Sequence, residues 1–228
     1  MSDVICNNVL HANKWIVENG LVELTWGNVS FYDRKTGLVY IKPSGVNLEK
    51  TQAKDISIVT ISGEQKSGKK PSVDLETHLE IYKSFESANC VIHTHSKYAT
   101  IFSQANKYIP CLGTTHADYF DGDIPCVPHT TQIETEKHYE KNTGLNIVKY
   151  YLHNNIEASR VSSCIVKNHG VFTWGDSIDS ALEKSKVVEL VAEMAYKTIL
   201  INSDSRIEKF IISKHFNRKH GENKSYGQ

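Results

Sequence analysis

The chain has 228 residues, enough for one sizeable hydrophobic core, so we expect a single domain over residues 1–228. Basic and acidic residues balance at 26 each, which argues against nucleic acid or an anionic membrane surface as a partner. The N-terminal residues do not resemble a signal peptide, no apolar run reaches transmembrane length, and the five cysteines form no Cys-x-x-Cys pair, so a cytoplasmic protein with reduced thiols is predicted.

The first half of the chain alternates between helical and strand-like patterns. Apolar residues from Ile5 to Ile16 follow helical spacing, and Gly20 provides a stop signal. A hairpin-type loop is predicted at residues 33–37. The strands predicted here cover residues 22–32, 38–41, 56–61 and 91–96. The helices predicted after the third strand cover residues 75–85 and 97–105.

The second half adds two strands and two long helices. Residues 109–128 are rich in Gly, Thr, Asp and Pro, so we expect irregular structure there. A small, apolar face runs from Ala181 to Ile199, with Asp176 or Ser177 as the cap. The other elements predicted are a helix at 134–152 and strands at 163–167 and 171–174. Hairpins mixed with helices predict an α/β fold in a single layered domain, with a central mixed, largely antiparallel sheet flanked by helices.

Three histidines are candidate metal ligands. Alternation along a strand places His93 and His95 on the same side, about 7 Å apart along the backbone. His169 lies in a turn-like segment directly after the apolar run 163–166, and Asp74 precedes a predicted helix. A His-x-His pair alone more often decorates a surface or packs in a core. With a third imidazole and a carboxylate, however, the set predicts a catalytic metal site that keeps an open position.

Three glycine- or serine-containing segments could bind an anion. Gly27 and Asn28 form one such segment, Lys42, Ser44 and Gly45 form another, and Ser72 opens a helix whose free N–H groups favour anions. Each segment alone is more often an ordinary turn. Together they favour a phosphorylated ligand, and the absence of Walker and dinucleotide motifs gives no support to ATP or NAD.

Two residues are candidates for proton transfer. Asp118 lies between an alanine and two aromatic residues, where partial desolvation would raise its pKa towards a useful working range. A loop aspartate that caps local N–H groups is the simpler interpretation. Tyr226, near the end of the chain, is a weaker candidate because terminal residues often fray.

Taken together, these motifs resemble the class II aldolase/epimerase family, and its epimerase branch most closely. The matching segments extend over nearly the whole chain in the family's order. They are LTWGNVS (24–30), IKPSGV (41–46), KKPS-D (69–74), VIHTHSKYATI (91–101), GTTHADYF (113–120), NHGVFTWG (168–175), KH (214–215), RKHG (218–221) and YGQ (226–228).

The resemblance implies a role for each matching residue. It implies one Zn²⁺ per subunit on His93, His95 and His169, with Asp74 in or against the coordination shell. It implies that Asp118 and Tyr226 transfer protons. It also implies phosphate binding by Gly27, Asn28, Lys42, Ser44, Gly45 and Ser72. Supporting active-site roles are implied for Thr114, Glu140 and His215. Where the family often has a second serine, this chain has Val73, whose backbone N–H remains available.

The activity implied is a zinc-dependent epimerisation that interconverts L-ribulose 5-phosphate and D-xylulose 5-phosphate. No carbonyl lies next to C4, so the reaction would proceed by retro-aldol cleavage of the C3–C4 bond and re-addition to the other face. The phosphorylated ketopentose is the expected partner, within a homotetramer whose active sites lie between subunits. An aldolase acting on a ketose 1-phosphate is the alternative within the family, and a non-catalytic metal-binding oligomer is the alternative outside it. The family's aldolases carry a glutamate where Asp74 stands, which favours the epimerase.

Overall fold

A single sheet forms the centre of the domain in a computed structural model, which describes residues 2–221 and 224–225. Its strands are β1 (Asn28–Asp33), β2 (Leu38–Ile41), β3 (Ser57–Thr60), β4 (Gln65–Ser67), β5 (Cys90–Thr94), β6 (Cys126–Val127), β7 (Ser163–Val166) and β8 (Val171–Gly175). The strand order is β4-β3-β2-β1-β5-β8-β7-β6, and within the described residues β6–β7 is the one parallel pair. The predicted α/β class with a mixed, largely antiparallel sheet is therefore confirmed.

Helices cover the sheet, and their apolar faces form its core. They are α1 (Ser2–Glu18), α2 (Leu75–Ser84), α3 (Lys97–Gln104), α4 (Thr114–Ala117), α5 (Gln132–His153), α6 (Ile178–Ile201) and α7 (Lys209–His220). The side chain of Ser177 accepts a hydrogen bond from the N–H of Ser180, which confirms it as the cap of α6. The largest hydrophobic cluster joins α2 and α5 to the sheet around the fully buried Trp174. This packing fixes α2 and α5 beside β5.

The predicted strand at residues 22–32 is wrong in its first half. β1 begins at Asn28, and the preceding segment turns through a left-handed Leu24, at φ 53°, and through Gly27, at φ 94°. The apolar residues Leu21 and Val22 are buried, but they pack beneath α1 without joining the sheet. Their burial explains why the pattern looked like a strand.

Other boundaries differ from the prediction in ways that affect the site. β5 ends at Thr94, so His95 lies just beyond the strand. The segment expected to be irregular, 109–128, contains the short α4 and β6. The helix predicted at 134–152 is α5, which has a kink where His138 takes φ −153° and ψ 64°. The hairpin loop at 33–37 is confirmed by the N–H of Gly37, which donates to the carbonyl of Asp33 at 2.9 Å.

The described residues contain no helix that is both long and apolar enough to span a bilayer. All five cysteines are free thiols.

Candidate metal and anion site

His93 is the central residue of the site, at the end of β5. Its ring stacks on that of Phe172, the residue paired with it on the neighbouring strand β8, with ring centroids 4.3 Å apart. Its Nδ1 lies 2.8 Å from the carbonyl oxygen of Val171. Because a carbonyl only accepts, Nδ1 carries the proton and Nε2 is left with a lone pair. The backbone of β8 thus sets the tautomer that a metal requires.

His169 is held in the tight turn between β7 and β8. The turn passes through a left-handed Asn168, at φ 57°. The buried Ser103 of α3 accepts a hydrogen bond from the N–H of His169 at 3.1 Å and donates to the carbonyl of Val166 at 2.5 Å. Ser103 therefore fixes both sides of the turn, a role that its helical sequence context did not reveal.

Gly170 allows the histidines to approach this turn. A Cβ at position 170 would lie 2.5 Å from the carbonyl oxygen of Thr94, 2.9 Å from Cδ2 of His95 and 3.2 Å from Cε1 of His93. The residue at position 170 must therefore lack a side chain, because the space is filled by the imidazole rings and the end of β5.

One nitrogen from each of the three histidines lies within 4.8 Å of the others. Nε2 of His93 and Nε2 of His95 are 3.0 Å apart, close to the separation of about 3.3 Å between two ligands of a tetrahedral ion with bonds of about 2.0–2.1 Å. When Nε2 of His95 is protonated it donates to the lone pair on Nε2 of His93, and when both nitrogens carry a lone pair a shared cation takes the place of that proton. The residues present therefore fit a metal ion.

The protonation states agree with this fit. Desolvation of the ring, together with His93, lowers the pKa of His95 to about 4, although the residue as a whole is exposed. Burial and the two other imidazoles lower the pKa of His169 to about 3. Both rings are consequently neutral near pH 7, and neutral imidazole is the form that ligates metals.

Asp74 lies beside the histidines but outside the group of three among the described residues. It precedes α2, and its Oδ2 accepts a hydrogen bond of 2.7 Å from the amide of Asn28. Burial favours a higher pKa for this carboxyl, but His93 and the other neighbouring imidazoles, with the Asn28 amide, hold the pKa below its usual value. Asp74 is thus an ionised acceptor at the edge of the histidine group.

The anion-binding candidates are held around the same point by backbone contacts. The buried Lys42 donates from Nζ to the carbonyls of Thr25 and Gly27, both at 3.0 Å. The backbone N–H of Ser44 donates to the carbonyl of Lys70, and that of Ser72 donates to the carbonyl of Lys42, both at 3.0 Å. Lys42 therefore fixes the loop before β1 as well as contributing positive charge.

A cavity of about 400 Å³ brings these groups together. It contains the three histidines, Asp74, Glu140 and all six predicted phosphate-binding residues. Its lining consists of Thr25, Trp26, Gly27, Asn28, Lys42, Ser44, Gly45, Ser72, Val73, Asp74, His93, His95, Tyr139, Glu140 and His169. Of these, Tyr139 was not identified from the sequence, although it directly precedes the predicted Glu140.

The remaining candidates form a second cluster, on α4 and α7. Nδ1 of His215 donates to Asp118 at 3.0 Å, and the Arg218 guanidinium donates to both oxygens of the same carboxylate at 3.0 and 3.1 Å. The carbonyl of Thr114 accepts a hydrogen bond from the N–H of Asp118. None of the three predicted residues in this cluster lines the histidine cavity. Tyr226 lies outside the described residues.

Comparisons with known proteins agree with this architecture. The family model of the class II aldolase and adducin N-terminal domain matches residues 7–196. Among solved structures, an L-fuculose 1-phosphate aldolase is 22% identical, with a TM-score of 0.80 and coverage of 93% of this chain and 94% of that one.

Two further solved structures are similar. YgbL from Klebsiella pneumoniae, proposed to be an aldolase, epimerase or decarboxylase, is 22% identical, with a TM-score of 0.76 and coverage of 94% and 98%. L-fuculose-1-phosphate aldolase from Thermus thermophilus is 18% identical, with a TM-score of 0.69 and coverage of 91% and 100%. At these identities the structural likenesses establish the fold.

Proposed function

Because the chain belongs to the class II aldolase and adducin N-terminal domain family, we propose that it is a zinc-dependent L-ribulose-5-phosphate 4-epimerase. The proposed reaction interconverts L-ribulose 5-phosphate and D-xylulose 5-phosphate by cleavage and re-formation of the C3–C4 bond. One observation supports it above the others: a single cavity contains three converging imidazoles, an ionised aspartate and three anion-binding segments. The free cysteines suit a cytoplasmic enzyme.

Asp74 favours an epimerase over an aldolase that releases its products. The resemblance associates the aldolases with a longer glutamate at this position, suited to general acid–base work. Here the carboxylate is one methylene shorter, and its Oδ2 already accepts the Asn28 amide. Such a carboxylate orients the site more readily than it moves a proton to a carbon atom. An aldolase acting on a ketose 1-phosphate remains the second candidate.

The side chains of this chain perform binding, orientation and proton transfer in the proposed mechanism. Gly27, Asn28, Ser44, Gly45 and Ser72 hold the phosphate, so the aldehyde fragment can rotate while it remains anchored. Asp118 and Tyr226 serve the two faces of C4, one removing the hydroxyl proton and the other returning a proton. His93, His95 and His169 would hold the metal, which when bound polarises the oxygens of the substrate as a Lewis acid.

The separation of the two clusters supports active sites shared between subunits. Asp118, Thr114 and His215 lie together on α4 and α7, away from the cavity of their own chain. We propose that in a homotetramer this cluster, with Tyr226, completes the cavity of a neighbouring copy, to which that copy itself contributes Glu140. The Arg218 and His215 contacts would then present the Asp118 carboxylate in a fixed orientation.

A coupled assay tests the reaction. Zinc-loaded protein is incubated with L-ribulose 5-phosphate, and formation of D-xylulose 5-phosphate is followed with and without a chelator. We expect chelator-sensitive product, lost in His169→Ala and retained in His153→Ala, which alters an exposed histidine at the end of α5. If no D-xylulose 5-phosphate forms but a ketose 1-phosphate yields dihydroxyacetone phosphate, the aldolase replaces the epimerase.

A mixing experiment tests the shared site. His93→Ala removes a metal ligand, and Asp118→Asn removes the carboxylate of the second cluster, so each variant alone should be inactive. When the two are denatured, mixed and refolded, mixed oligomers should contain some sites with both groups intact, and activity should return. A mixture as inactive as its components would show that each site is built within one chain.

A further inference from the structure

Tyr139 faces the metal site because α5 changes direction one residue before it. The kink at His138 divides α5, and Tyr139 is the first residue of its second part. Its hydroxyl lies 3.3 Å from Nδ1 of His169, and the two ring centroids are 5.8 Å apart. The same side chain forms part of the cavity wall.

Contacts with α2 fix this part of α5. The Thr77 hydroxyl donates to the carbonyl of Glu140 at 2.6 Å, and the Thr143 hydroxyl donates to the carbonyl of Tyr139 at 2.9 Å. At Gly144 an added Cβ would lie 2.9 Å from the carbonyl oxygen of Thr77, so the two helices touch backbone to backbone. This part of α5, which begins with Tyr139, is therefore fixed to the helix that Asp74 precedes.

The tautomer of each imidazole decides which nitrogen can bind a metal. For His93 the carbonyl of Val171 makes that choice. His169 has no backbone carbonyl hydrogen-bonded to its Nδ1 in the described part of the chain, and the atom at Nδ1 is the Tyr139 hydroxyl oxygen. A phenol oxygen can accept the Nδ1 proton, which leaves the lone pair on Nε2.

We propose that Tyr139 is a positioning residue that accepts the Nδ1–H of His169 and so presents Nε2 of this ring to the metal. The inference rests on the proposed function, since it requires a metal on the three histidines. Hydrogen-bond partners of metal-bound histidines typically contribute about 10–100-fold to metal affinity. Tyr139 would then do for His169 what the carbonyl of Val171 does for His93.

Tyr139→Phe tests the proposal because it keeps the ring and removes the hydroxyl alone. The dissociation constant for Zn²⁺ is measured by competition with a chromophoric chelator, and we expect it to rise about 10–100-fold. Tyr150→Phe is the matched control: it removes a hydroxyl from the same helix, outside the cavity lining, and should bind Zn²⁺ as the wild type does. Equal affinities of Tyr139→Phe and the wild type would overturn the proposal, as would a change confined to KM.

A second measurement needs no metal. Nitrogen chemical shifts of the histidine rings in metal-free protein report which nitrogen carries the proton. We expect His169 to carry it on Nδ1 in the wild type and to show a mixture in Tyr139→Phe, while His93 is unchanged. An Nε2–H form of His169 in the wild type would contradict the inference even if no variant could be studied. If the wild type binds no Zn²⁺, the proposed function fails, while the ring shifts still decide whether the contact exists.

Discussion

Replacing Gly170 with alanine should damage the fold and the metal site together. The added Cβ would lie 2.5 Å from the carbonyl oxygen of Thr94, about 1.0 Å short of an ordinary contact of about 3.5 Å. It would also press on the rings of His95 and His93, at 2.9 and 3.2 Å. A backbone oxygen in a paired strand cannot move aside as the end of a flexible side chain can.

The size of the effect follows from two opposing contributions. Overpacking of this kind costs about 1–3 kcal/mol. The smaller conformational freedom of alanine in the unfolded chain offsets about 0.4–1 kcal/mol. We therefore expect Gly170→Ala to lower the free energy of unfolding of the metal-free protein by about 1–2 kcal/mol. Because two ligand rings must shift, Zn²⁺ should bind at least about 10-fold more weakly.

Denaturant unfolding of metal-free protein and chelator competition measure the two effects. Gly113→Ala is the control, because its backbone is extended and a Cβ there meets nothing within 4 Å. This control should stay within about 0.5 kcal/mol of the wild type. If Gly170→Ala matches both the stability and the Zn²⁺ affinity of the wild type, close packing of the turn on the histidines is not what requires glycine.

Three further substitutions test other parts of the site and core. Ser103→Ala leaves the carbonyl of Val166 and the N–H of His169 without their shared partner, and it should lower the free energy of unfolding by about 1–3 kcal/mol. Thr100→Val is the control on the same helix: it removes a hydroxyl that is buried without a partner in the described structure, and it should be neutral or stabilising. Lys42→Met removes the hydrogen bonds to the carbonyls of Thr25 and Gly27, so inorganic phosphate should inhibit the enzyme at least about 10-fold more weakly, with Zn²⁺ affinity unchanged. Unaltered inhibition by phosphate would show that these hydrogen bonds do not maintain the anion-binding loop. Burial lowers the pKa of His116 to about 4, so the unfolded chain takes up this proton first. About 3 kcal/mol of stability present above about pH 6.5 should therefore be lost as the pH falls towards 4. His116→Leu should make that part of the profile less steep, with the slope from the other histidines of lowered pKa retained, and an equally steep loss in the variant would refute the assignment.

The sequence predicted the fold well wherever the local pattern and the packing agree. The strand at Leu38–Ile41 was located residue for residue, and the cap of α6 was correctly placed within a choice of two residues. The strand prediction failed at residues 22–27, because burial of Leu21 and Val22 beneath α1 produces the same apolar signal as a sheet. Periodicity reports that a residue is buried, but it does not report which element covers it.

The sequence could indicate that the histidines and the loops belong to one cavity, because each motif is short and chemically distinctive. It did not indicate Tyr139 and Ser103, because their partners are distant in sequence and nothing local identifies them: Ser103 acts on a turn more than 60 residues away. The kink that exposes Tyr139 to the cavity falls inside an otherwise helical pattern, at a histidine with no special backbone preference. Asp118 and His215 were named together from the resemblance, and the structure brings them together, though outside the cavity.

The position of β5 in the sheet affects how the protein can fold. This strand is the seam between a four-stranded N-terminal section, β1–β4, and a three-stranded C-terminal section, β6–β8. The segments proposed to bind the phosphate belong to the first section and His169 to the second, so neither section alone contains all the residues of the cavity. Such long-range strand pairing slows folding, because chain entropy is lost before the pairing stabilises the chain. A ligand that contacts both sections would bind only after the seam has closed, and it would protect the whole sheet against unfolding as one unit.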